Sequence, residues 1–102
     1  MGKDSALYQL MVVRMNGIMN DITNSDGEYQ EIVRKSEEYS DRLERIGLPV
    51  DIRMLIDDNV SEQNALSSRF GMLAYLLGFS DCKAMFLGKG LPTEVKEINT
   101  EL

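Results

Sequence analysis

Apolar residues recur along this chain at the three- and four-residue intervals that place side chains on one side of a helix. Leu7, Met11, Met15, Ile18 and Ile22 are spaced four, four, three and four, which predicts a first helix over 5–23. Tyr8, Val12 and Met19 widen the apolar side, and Leu10 and Val13 lie on its flanks. A helix apolar round so much of its circumference is buried on more than one side. It reads as a central core helix, or as one whose extra apolar side meets a partner; Leu10 and Val13 are then the candidate partner contacts. Asp4 or Ser5 can cap its start, and Thr23-Asn24-Ser25-Asp26-Gly27 forms a turn after it.

A second helix is expected over 26–46. Tyr29, Ile32, Ser36, Tyr39, Leu43 and Ile46 alternate at three and four residues, a heptad-like seam that packs on one side only. Acids precede bases by four residues at Glu31 and Lys35, Glu38 and Arg42, and Asp41 and Arg45. Such pairs contribute about 0.2–0.5 kcal/mol each. Gly47 can take a left-handed cap conformation, and Pro49 stops the helix from continuing.

Pro49 also suits the first turn of a third helix, expected over 50–87. Ile52, Ile56, Val60, Gln63, Leu66, Phe70, Leu73, Leu77 and Ala84 follow one face. The run Asp57-Asp58-Asn59-Val60-Ser61-Glu62 places acids where a helix end disfavours them, then offers a capping-box-like Asn59 and Glu62. One long helix with a kink or fray there is preferred to two helices. Gly88 and Pro92 end it, and the tail over 93–102 forms a short helix or stays loose. The fold class expected is all-α: an antiparallel bundle of three main helices in one domain spanning 1–102.

Composition narrows the chemistry. The 102 residues include no histidine and no tryptophan, which removes the commonest general base and transition-metal ligand together. A single cysteine, Cys82, cannot form an internal disulfide and fits a reducing cytoplasm. No apolar run reaches the ~20 residues of a membrane span, so no membrane association is expected. The net charge of −6 arises between Ser25 and Asn64, where eleven acids face five bases. Without a basic stripe, direct nucleic-acid binding is not expected. Neither catalytic residues, cofactor nor metal ligands are assigned; Asp57, Asp58 and Glu62 lack the alternating ligands and glycine of a calcium loop.

Two surfaces remain as candidate sites. Ser67, Gly71, Ala74, Gly78 and Cys82 fall near one line of the third helix. Two glycines inside a helix imply close packing, either on the first helix within one chain or across a homodimer. Cys82, beside Asp81 and with no histidine to activate it, reads as a buried small residue. Glu31, Glu37, Glu38, Asp41 and Glu44 form a candidate acidic partner face off the Tyr29 to Ile46 seam.

The run Tyr75-Leu76-Leu77-Gly78-Phe79-Ser80-Asp81-Cys82 resembles a Tyr-x-x-Gly-Phe-x-Asp-small segment of small uncharacterised helical proteins of Gram-positive bacteria and their phages. The resemblance supplies no activity, and it implies a mobile-element origin. The function expected is a non-enzymatic module that presents helical surfaces to a protein partner and self-associates, with seven methionines adapting to irregular contacts. The alternative is a phage-type, anti-CRISPR-like inhibitor of a nucleic-acid-handling enzyme, its acidic helix standing in for phosphates. A small-molecule enzyme is the third reading, without residues to carry it.

Overall fold

The computed structural model describes residues 3–96 and 98. Four α-helices account for most of them: α1 (Ala6–Asn16), α2 (Ile18–Ser25), α3 (Gly27–Ile46) and α4 (Val50–Phe86). No strand occurs among the described residues, and the fold is all-α.

Each helix boundary has a local cause. The Ser5 hydroxyl accepts from the Tyr8 amide at 3.1 Å and so caps α1. The single helix expected over 5–23 is divided at Gly17, whose backbone leaves helical geometry (φ −111, ψ −102). Glycine holds helical geometry less strongly than any other non-proline residue, and the Asn20 side-chain amide donates to the freed Asn16 carbonyl at 3.0 Å. The expected Thr23–Gly27 turn is correspondingly shorter. Helix α2 continues to Ser25, with Thr23 and Ser25 hydroxyls donating back to carbonyls of its own turns. Asp26 alone separates the two helices, accepting from the Tyr29 amide at 2.8 Å to cap α3.

Helix α3 stops at Gly47, which adopts the left-handed conformation at φ 70. Helix α4 begins after Pro49 and runs for 37 residues, unbroken through Asp57, Asn59 and Glu62. The Asn59 and Glu62 pair therefore starts no helix. Gly88, at φ 69, closes the far end: Lys89 N–H donates to the Ala84 carbonyl at 2.8 Å and Gly88 N–H to that of Met85 at 3.2 Å. Those two bonds form a Schellman cap. In the tail expected over 93–102, Val95, Lys96 and Ile98 are helical; residues 97 and 99–102 lie outside the described residues.

Contacts divide the chain into two compact units. One comprises Met1–Met15 and Ser67–Leu102, and it holds every buried side chain described: Met11, Leu76, Ser80 and Ala84. Leu76, Ser80 and Ala84 follow one another by four residues on α4, so a single face of that helix is covered. The other unit is Asn16–Leu66. Within it α2 packs against α3, tied by the Gln30 amide donating to the Thr23 carbonyl at 2.9 Å.

Candidate functional site

The unit Asn16–Leu66 buries no side chain at all, although α3 separates apolar from charged positions cleanly along its length. Its apolar side is divided between two surroundings. Ser40, Leu43 and Glu44 of α3 line a cleft of about 200 Å³ together with Leu48 and with Arg53, Ile56, Asp57 and Val60 of α4. Leu43, Leu48, Ile56 and Val60 supply apolar walls, and Glu44, Arg53 and Asp57 a charged rim. Further round α3, Ile32, Tyr39 and Ile46 recur every seven residues and remain 62%, 64% and 66% exposed. Seven residues nearly complete two helical turns, so the three form a continuous stripe. Beside it, the Arg42 guanidinium stands 5.7 Å from the centre of the Tyr39 ring, a cation–π distance.

Glu31, Glu37, Glu38, Asp41 and Glu44 are all exposed on α3. Their electrostatics centre on a residue that was not expected to matter. Arg34 grips Glu31 in a two-point fork and also bonds Glu38. The hydrogen bond from Arg34 pulls the Glu31 carboxyl below its ordinary pKa, and Glu31 in turn raises that of Arg34. The expected pairing of Glu31 with Lys35 and of Glu38 with Arg42 is thus replaced by Arg34 reaching three residues back and four forward. The planar guanidinium can serve two carboxylates at once, which a single ammonium point charge does less well.

The small-residue line lies on α4 in the first unit. Gly71 is the close approach: a Cβ there would stand 3.3 Å from the Met15 ε-methyl of α1. Nothing lies within 4 Å of the same point at Gly78, and Ser67, Ala74 and Cys82 are exposed. Cys82 is therefore not the buried residue expected from its neighbours. The covered face of α4 is the adjacent one through Leu76, Ser80 and Ala84. Leu10 and Val13 of α1 are 50% and 67% exposed.

No group of three or more potential metal ligands occurs among the described residues, and no described helix is long and apolar enough to cross a membrane. Sequence periodicity alone did not reveal the cleft beneath the Gly47-Leu48-Pro49 turn; an apolar Leu48 inside a turn was its one signal. No family model, curated protein or solved structure matches the chain.

Proposed function

We propose that this chain is a non-enzymatic interaction module that self-associates through helical surface and completes an antiparallel helical bundle only on association. The observation that carries this is the exposed Ile32, Tyr39 and Ile46 stripe on a unit that buries no side chain of its own. Burying a large apolar side chain contributes about 1.5–3 kcal/mol. A strongly amphipathic helix with its apolar side in water forgoes that gain, and a second helical surface supplies it. Leu10 and Val13 on α1 offer a separate apolar contact for a protein partner.

The phosphate-mimic alternative draws on the exposed acids of α3, but Arg34 already occupies Glu31 and Glu38. Glu37, Asp41 and Glu44 remain, which is a small charge for filling a phosphate channel. Comparing two sets of variants tests the choice between them. Alanine at Tyr39 and Ile46 is expected to weaken association at least tenfold. Lysine at Glu37, Asp41 and Glu44 is expected to leave it nearly unchanged. The reverse pattern, with affinity falling steeply as salt is added, would overturn the proposal.

A further inference from the structure

Resting on that self-association reading, we propose that the α3–α4 pair of residues 27–66 stacks face to face on the same pair of a second copy, α3 of each along α4 of the other.

The geometry begins at the cleft. On α3, the cleft-lining Ser40, Leu43 and Glu44 and the exposed Ile32, Tyr39 and Ile46 lie about a quarter turn apart at 100° per residue. On α4, Ile56 and Val60 line the cleft, and Ile52, Asn59 and Leu66 form a second seven-residue stripe, about as far round. Ile52 and Leu66 are exposed, as is Asn59. The rotation from cleft to stripe has the same sense about each helix's own N-to-C axis. Ser40 before the Gly47-Leu48-Pro49 turn and Val60 after it line the same cleft, so the chain doubles back there and both stripes emerge on the same side of the cleft.

They are also in register. Ile46 and Ile52 stand equally far from Pro49 along the chain, as do Tyr39 and Asn59, and Ile32 and Leu66. With equal rise per residue, laying α3 on the other copy's α4 sets Ile46 on Ile52, Tyr39 on Asn59 and Ile32 on Leu66. The Tyr39 hydroxyl then meets an amide instead of hydrocarbon, which lets its ring be covered with its polar end satisfied.

Charge selects this arrangement over the other two-fold one. Glu28, Lys35 and Arg42 recur every seven residues on the outer edge of the α3 stripe, with the Arg34-bound Glu31 and Glu38 behind them, and Asp51, Asp58 and Glu62 flank that of α4. Stacking α3 on α4 sets Lys35 and Arg42 against the acidic edge, with Lys35 level with Glu62 and Glu28 lying beyond Leu66. Stacking α3 on α3 would set Lys35 and Arg42 against their own copies, a like-charge contact that disfavours that arrangement. The acids Glu37, Asp41 and Glu44 stay outside in either case.

The surface is large enough. The two stripes with Leu55, itself 70% exposed, offer on the order of 700 Å² per copy, near the ~800 Å² per partner of a stable interface. A second copy is the occupant that matches both edges from this sequence alone.

Sedimentation of the full-length chain at physiological salt tests the arrangement. The wild type is expected to dimerise. Lys35→Glu and Glu62→Lys are each expected to weaken the dimer roughly tenfold, since each removes two symmetry-related pairs and creates two repulsions. The double variant is expected to recover affinity to within a few-fold of wild type. A dimer indifferent to all three variants would overturn this arrangement while leaving self-association in place. A well-folded monomer at high micromolar concentration would overturn both. Cysteine pairing gives a second readout that tolerates weakened variants. With Cys82→Ser in each chain, Ile32→Cys mixed with Leu66→Cys is expected to oxidise mainly to the mixed covalent dimer. Formation of like-with-like dimers alone would contradict the arrangement.

Discussion

The Met15 ε-methyl lies 3.3 Å from the place a Cβ on Gly71 would take, while the corresponding place on Gly78, two helical turns further along α4, is open to 4 Å. The two glycines therefore answer differently to the same substitution. Gly78→Ala is expected to stabilise by about 0.8–1 kcal/mol, the ordinary helical gain. Gly71→Ala gains the same preference but must displace a flexible methionine tip, and is expected to gain less. Thermal melts followed by circular dichroism compare them; Gly71→Ala stabilising more than Gly78→Ala would contradict the packing of α1 on α4.

Ser80 is fully buried, and its hydroxyl has no hydrogen-bond partner. An unsatisfied buried hydroxyl costs about 1–3 kcal/mol. Ser80→Ala removes it at nearly constant volume and is expected to raise stability by about 1 kcal/mol. Urea unfolding measures the change, and a loss of stability would mean that the hydroxyl has a partner.

Asp26 is the cap on which α3 begins. Its carboxylate accepts the Tyr29 amide at 2.8 Å, and Asp26→Ala is expected to cost about 1 kcal/mol. Asp26→Asn keeps an acceptor oxygen and is expected to retain most of that stability. Equal melting temperatures for the alanine variant and wild type would remove the cap from the account.

The Arg34–Glu31 pair sets a pH dependence whose sign is fixed. Because the folded carboxyl is held below its ordinary pKa, the pair's contribution is present above the ordinary carboxylate range. It is lost as pH falls through the lowered folded value. The pair is exposed, so the effect is small and screened by salt. Arg34→Ala is expected to move the Glu31 titration, followed by carbon-13 NMR, back up to the ordinary range. An unmoved titration would show that the fork does not persist in solution.

The all-α class and the stop at Gly47 were legible because each rests on local chemistry: three-four periodicity, a left-handed glycine and a proline beside it. Gly17 was not. It interrupts an apolar period that continues on both sides, through Met15 and Ile18, and periodicity carries no record of one residue leaving helical geometry. Lys35, Arg42 and Arg45 offered the regular four-residue spacing, whereas Arg34 wins by guanidinium reach between Glu31 and Glu38. The small-residue line marked the Gly71 approach but not the openness at Gly78 or Cys82. Their exposure depends on where α1 lies. The α3 seam had the same limit: its spacing identified an apolar side, and what covers Ile32, Tyr39 and Ile46 is a question of assembly.

The most direct test of the central claim, that residues 27–66 bury their apolar side only against a second copy, is the concentration dependence of thermal unfolding. When folding and dimerisation are coupled, mass action stabilises the assembled state as concentration rises. Over a hundredfold increase in chain concentration, the melting temperature is expected to rise by roughly 5–10 °C, with sedimentation giving twice the 11.5 kDa chain mass. A melting temperature independent of concentration, together with a particle of one chain mass, would contradict it.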